Sequence, residues 1–179
     1  MRFISKFIFT TIFGWKLVGE FPKEIKKYVL IGAPHTSWYD FVLGMLVNSF
    51  TQEKVNYIGK DSLFKPPFGF FFRWLGGTPV DRSQNNNLVD AIVKIFNSKE
   101  EFRLALSPEG TRKKVEKWKT GFYYIAKGAN VPIVMLTFDF GKKQVALSKP
   151  FYLTDDMEKD IALIQDFYKD VKGKHPDKG

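Results

Sequence analysis

The sequence predicts an α/β domain with a mostly parallel sheet flanked by helices. Short apolar runs alternate with helical stretches from Tyr28 onward, the pattern of βα units. The stretches richest in reactive and turn-forming side chains follow directly after apolar runs, where a parallel sheet presents its carboxyl edge. At 179 residues, 44% of them hydrophobic, the chain has the size and apolar content of one domain with a full core. No internal repeat or linker interrupts it. The reading is a domain over residues 22–172, an amphipathic helix over 1–21 before it, and a frayed tail over 173–179 after it.

Met1 to Phe21 is rich in Phe, Ile and Trp, with Arg2, Lys6 and Lys16 among them. Its longest uncharged stretch, Phe7 to Trp15, is short of the roughly 20 apolar residues that span a bilayer. No small-x-small cleavage site follows. The segment reads as a helix lying in a membrane interface, aromatics down and lysines toward headgroups; the alternative is a helix packed on the core. The expected strands are Tyr28–Ile31, Val55–Ile58, Thr78–Val80, Arg103–Leu106, Ile133–Phe138 and Gln144–Leu147. Helices are expected at Trp38–Phe50, Phe68–Leu75, Leu88–Asn97 and Gly121–Lys127. A last helix carries Met157, Ile161, Ile164, Tyr168 and Val171 at spacings of four and three, after a Thr154-Asp155 start with Glu158 available for a capping box.

Composition narrows the chemistry. There is no cysteine, which excludes a thiol nucleophile, a disulfide framework and a thiolate metal site. One histidine in the globular part and no H-E-x-x-H argue against zinc, and no Walker loop or G-x-G-x-x-G points to nucleotide chemistry. The expectation is no metal and no resident cofactor. Lys and Arg total 28 against 19 Asp and Glu, a formal charge of +9 that favours an anionic partner: phosphate, nucleic acid, an acidic carrier protein or an anionic membrane surface. Phe alone accounts for 19 residues, more than a core of this size needs, so some apolar surface is expected to meet lipid or acyl chains.

Four stretches carry the functional signal. In Pro34-His35-Thr36-Ser37-Trp38-Tyr39-Asp40, His35 falls in a strand-to-helix turn and Asp40 in the first helical turn. Ser37 fits the N-cap, and Asp40 could simply complete a capping box. That explains Asp40 but not His35; a carboxylate orienting an imidazole that takes a proton explains both. The second stretch runs from Gly59-Lys60-Asp61 through Pro66-Pro67-Phe68-Gly69 to Asp81-Arg82. It reads as a wall for an apolar ligand, with Arg82 at the sheet's carboxyl edge or else paired with Asp81. In Ser107-Pro108-Glu109-Gly110-Thr111-Arg112, Gly110 permits a tight turn and Thr111 and Arg112 can donate to an anion. Val131-Pro132-Ile133-Val134 is a strand entry with proline at its mouth.

These four blocks, in this order, resemble the PlsC-like glycerolipid acyltransferases, the 1-acylglycerol-3-phosphate acyltransferase family. His35, Ser37 and Asp40 match its N-H-x-S-x-x-D motif with Pro34 in place of Asn. Gly76 to Arg82 stand at its G-x-I-F-I-D-R motif, Ser107 to Arg112 at F-P-E-G-T-R, and Val131 to Val134 at the proline-bearing fourth. The resemblance covers about residues 28–138. It implies that His35 deprotonates an acceptor hydroxyl while Asp40 holds its tautomer, that the acyl group comes from an acyl-CoA or acyl-acyl carrier protein thioester, and that no acyl-enzyme forms. It implies that Arg82, Glu109, Gly110, Thr111 and Arg112 bind the acceptor's phosphate or order the loop that does, Glu109 by positioning Arg112 or another donor, with Lys60 adding charge. The implied acceptor is 1-acylglycerol 3-phosphate; another lysophospholipid or an acylated amino acid is the alternative. The implied setting is peripheral, at an anionic membrane surface on the cytoplasmic face of an inner membrane. A non-catalytic basic module that binds membrane or nucleic acid through Arg112 to Lys119 is the competing reading; it leaves the His–Asp pair without a purpose.

Overall fold

In the computed structural model, residues 2–80 and 88–176 are described. A seven-stranded sheet runs in the order β1-β7-β6-β2-β5-β3-β4. The strands are β1 (Lys16–Val18), β2 (Lys27–Ala33), β3 (Val55–Lys60), β4 (Gly77–Val80), β5 (Phe102–Leu106), β6 (Ile133–Asp139) and β7 (Gln144–Leu147). All pairings are parallel except β6 with β7. The helices are α1 (Arg2–Phe7), α2 (Tyr39–Thr51), α3 (Gly69–Trp74), α4 (Leu88–Ser98), α5 (Gly121–Ala129) and α6 (Met157–Tyr168).

Helices cover both faces, which is why the central strands are apolar on both sides rather than alternating. Val29, Ile31 and Ala33 of β2 point to one face, against Ile92 and Phe96 of α4, Phe122 of α5 and Ile164 of α6. Tyr28 and Leu30 point to the other, against Leu43 and Val47 of α2 and against Phe9, Trp15 and Phe21 from the N-terminal segment. Each such fully buried side chain contributes about 1.5–3 kcal/mol of transfer free energy.

The N-terminal segment departs from the single helix expected over residues 1–21. α1 passes into a wider turn at Ile8–Ile12, and Gly14, at φ +70°, ends the helical path. The chain then adds β1 to the sheet edge beside β7. Phe3, Ile4, Phe7 and Ile12 are exposed while Phe9 and Trp15 are buried, so the segment has an outward apolar face and an inward one. The last helix starts at an Asp156 cap, whose side chain accepts the Lys159 N–H at 3.0 Å, and ends at Tyr168, before Val171.

Candidate active site

The parallel register of β2 and β5 builds the site. Ile31 lies opposite Leu106, so the loops leaving these two strands emerge side by side at the carboxyl edge of the sheet. His35 lies four residues beyond Ile31 and Glu109 three beyond Leu106. The two meet: the His35 backbone N–H donates to Glu109 Oε2 at 2.7 Å. Glu109 is buried, and Ser107 Oγ donates weakly to the same oxygen at 3.5 Å. Burial raises the Glu109 pKa above the ordinary carboxylate value, and the hydrogen bond from His35 opposes that rise. Glu109 forms no ion pair with Arg112; the donor its carboxylate holds is the His35 backbone N–H, which braces the loop that carries His35.

Asp40 serves two donors with one oxygen. Its Oδ2 lies 3.0 Å from His35 Nδ1 and accepts the Ser37 N–H at 3.1 Å. The capping reading and the imidazole-orienting reading are therefore one arrangement. Ser37 Oγ accepts the Tyr39 N–H at 3.2 Å, so the hydroxyl caps the helix from one position before the Trp38 cap residue. Asp40 is 2% exposed, and its Oδ1 is buried without a hydrogen-bond partner among the described residues. A proton on Nδ1, held by Asp40, leaves Nε2 as the acceptor nitrogen, and the His35 side chain is about one-third exposed (32%). The geometry can take a proton from a hydroxyl brought to that side.

The same residues open onto apolar space. A cavity of about 270 Å³ lies between α2 and the sheet, lined by His35, Asp40 and Ser107 and, beyond them, by Leu30, Phe41, Leu136 and Phe138. The space exists because Gly32 of β2, Ala105 of β5 and Gly44 of α2 carry little or no side chain there. A Cβ on Gly32 or Gly44 would already touch the Phe138 ring, at 3.6 and 3.8 Å, so larger side chains must enter the cavity.

The other expected site residues fall around this centre. Gly110 takes φ +65°, the left-handed region, and a Cβ there would come within 2.9 Å of Lys119 Cδ. Thr111 Oγ1 accepts the Lys113 N–H at 3.3 Å, and Arg112 is exposed beside it. Lys60 ends β3, exposed, and does not line the cavity. Arg82 lies outside the described residues. From the second stretch, Leu75 lines the cavity and the aromatics of α3 do not.

Two parts of the site have no local signal. Tyr168, read as part of a core stripe, donates its buried hydroxyl to the Ile31 carbonyl at 2.7 Å, fixing the end of β2 just before the His35 loop. Burial holds that hydroxyl protonated, with a pKa well above the ordinary tyrosine value. The C-terminal segment is also in place rather than frayed at its start. The His175 N–H donates to Thr36 Oγ1 at 3.2 Å, and the Lys174 ammonium sits 3.0 Å from the centre of the Tyr39 ring. A Cβ on Gly173 would lie 2.7 Å from Thr36, so only glycine lets this segment lie so close to the loop.

Comparison with known proteins agrees with this architecture. No curated protein matches the chain. Among solved structures, the 1-acyl-sn-glycerophosphate (LPA) acyltransferase PlsC from Thermotoga maritima is similar in fold, with a TM-score of 0.62 at 19% identity over 94% of this chain and 75% of that one. The family model described as Acyltransferase matches residues 18–139, a span that runs from β1 through β6 and holds His35, Asp40 and Glu109. The chain belongs to the acyltransferase family.

Proposed function

We propose that this protein transfers a fatty acyl group from an acyl-CoA or acyl-acyl carrier protein thioester to a lysolipid hydroxyl, with 1-acylglycerol 3-phosphate as the acceptor and phosphatidic acid as the product. The observation that carries the reading is the His35–Asp40 pair at 3.0 Å on the rim of an apolar cavity. An imidazole with a free Nε2 beside apolar space is suited to a substrate that has a hydroxyl at one end of its chemistry and a hydrocarbon chain at the other.

In the proposed reaction, His35 Nε2 takes the acceptor's hydroxyl proton as the oxygen attacks the thioester carbonyl. Asp40 keeps the Nδ1–H in place and stabilises the imidazolium. Collapse of the tetrahedral intermediate breaks the C–S bond, and the thiolate leaves with the proton returned by His35. The ester forms without a protein nucleophile, in keeping with a chain that has no cysteine. Gly110, Thr111 and Arg112, with Arg82 and Lys60, are the proposed phosphate side of the acceptor site. Glu109 contributes by holding the His35 backbone.

The proposed setting is the surface of an anionic membrane, on the cytoplasmic face of an inner membrane. Among the described residues no helix is long and apolar enough to cross one. The exposed Phe3, Ile4 and Phe7 of α1, with Arg2 and Lys6 between them, suit shallow insertion with basic groups at the headgroups.

The test is acyl transfer in detergent from labelled palmitoyl-CoA and palmitoyl-acyl carrier protein to lysophosphatidic acid, other lysophospholipids, glycerol 3-phosphate and acylated amino acids. Labelled phosphatidic acid as the main product is expected; a different labelled product would keep the chemistry and replace the acceptor. No thioester-dependent product with any acceptor would sink the reading. The cavity makes its own prediction. Gly44→Leu places a side chain in the space beside Phe138, so activity with a palmitoyl donor should fall about tenfold or more relative to a decanoyl donor. An equal loss with both donors would mean that the acyl chain lies elsewhere.

A further inference from the structure

The largest group of exposed aromatics among the described residues lies not on α1 but on the segment from Leu63 to Trp74. Phe68, Phe70 and Trp74 are 67%, 75% and 73% exposed, and Leu63 and Phe71 are exposed beside them. Such surface is costly in water, and soluble domains rarely leave a contiguous patch of this kind uncovered.

The segment is not loosely folded. Phe64 is its inward anchor, 5% exposed, in a socket built by glycines. A Cβ on Gly59 or on Gly77 would come within 2.7 Å of the Phe64 ring, and a Cβ on Gly69 would come within 1.9 Å of the Phe64 carbonyl oxygen. The socket takes one ring and no more. Tyr57 donates its hydroxyl to the Phe72 carbonyl at 3.3 Å, and Asn56 Nδ2 donates to the Gly76 carbonyl at 3.2 Å, pinning α3 to β3 and to the turn before β4. The remaining aromatics are held outward on a fixed base.

The charges beside the patch select its partner. Lys65 and Arg73 are exposed within the segment, which carries no acidic residue; the exposed Lys60 and Asp61 just before it cancel. Arg73 lies with its guanidinium 5.3 Å from the Phe64 ring centre, its stem along apolar surface and its charge outward. Bulky aromatics flanked by Lys and Arg are the composition of a segment that sits at the level of lipid headgroups.

We propose that the α3 segment docks on an anionic bilayer surface, with Phe68, Phe70, Phe71 and Trp74 inserted at the headgroup level and Lys65 and Arg73 on the lipid phosphates. Docking has a direct consequence for the cavity. Leu75, the residue after α3, lines it, so the patch brings a cavity wall to the lipid surface. This purpose rests on the acyltransferase reading, but the docking itself does not.

The experiment is co-sedimentation of the full chain with phosphatidylcholine vesicles, with and without phosphatidylglycerol, and no acyl donor. Wild type and His35→Ala should bind alike, which separates docking from catalysis. Phe70→Ser with Trp74→Ser should lose at least tenfold in partitioning to the phosphatidylglycerol vesicles, while its circular dichroism and its activity on detergent-dispersed acceptor stay unchanged. Lys65→Gln with Arg73→Gln should lose the preference for phosphatidylglycerol. Brominated lipid should quench wild-type tryptophan fluorescence more than that of Trp74→Phe. Equal binding by the Phe70→Ser, Trp74→Ser protein, equal quenching with and without Trp74, or binding that ignores phosphatidylglycerol would each overturn the proposal. So would a lipid-free dimer that the same double substitution dissolves, since the patch would then belong to a second copy of the chain.

Discussion

His35→Ala lowers the rate of acyl transfer by about 100- to 10,000-fold, the range attached to a lost general base. The loss should appear with every acceptor that the wild type uses. It should come without a loss of fold. The brace between the two site loops is the His35 backbone N–H on Glu109, at 2.7 Å, and alanine keeps that N–H. The imidazole itself is about one-third exposed, so its removal opens no large cavity in the core. A thermal midpoint near that of wild type, measured beside the assay, assigns the loss to chemistry. A variant that retains most of its activity would remove His35 from the mechanism.

Asp40→Asn should cost nearly as much. Removal of the orienting carboxylate from a Ser-His-Asp triad costs about 10,000-fold in kcat, and the two roles there are the two that Asp40 fills here. Asparagine can keep its oxygen toward His35 Nδ1 and Ser37 N–H. The charge that stabilises the imidazolium is then gone, and the amide NH₂ takes the buried position of Oδ1, which has no partner among the described residues. If it turns the other way, the NH₂ faces the Ser37 N–H donor and forces the other imidazole tautomer. Either arrangement lowers kcat, by about 100-fold or more. KM for the acyl donor should change little, because asparagine has the size and shape of Asp40 and leaves the apolar walls of the cavity as they are. A raised KM with kcat preserved would mean that Asp40 acts only as a helix cap.

The parts of this architecture that were legible in the sequence are those with a local signature. Apolar runs flanked by turn residues mark β2 to β7, and the H-x-S-x-x-D spacing brings His35, in the strand-to-helix turn, onto Asp40 in the first turn of α2. Glu109 is different. It lies 74 residues from His35, and only the parallel pairing of β2 with β5 brings the two together, so its brace on the His35 backbone had no local sign. β1 has no sign in the sequence, because a three-residue edge strand has no periodicity of its own and its pairing partner β7 lies far along the chain. The aromatics of α3 were legible as apolar but not as outward-facing; their direction follows from the single place for Phe64 among Gly59, Gly69 and Gly77. The C-terminal residues read as a solvated tail by charge, yet Gly173 fits against Thr36 because it lacks a side chain.

The central claim is that the acyl group passes directly from a thioester to an acceptor hydroxyl deprotonated by His35. The measurement that tests it most directly is incubation of the protein with labelled palmitoyl thioester, with and without lysophosphatidic acid, followed by intact-protein mass and product analysis. The expected result is no mass gain on the protein in either case, labelled phosphatidic acid only when the acceptor is present, and loss of that product in His35→Ala. A palmitoylated protein that forms without acceptor, or phosphatidic acid formed as fast by His35→Ala as by wild type, would contradict it.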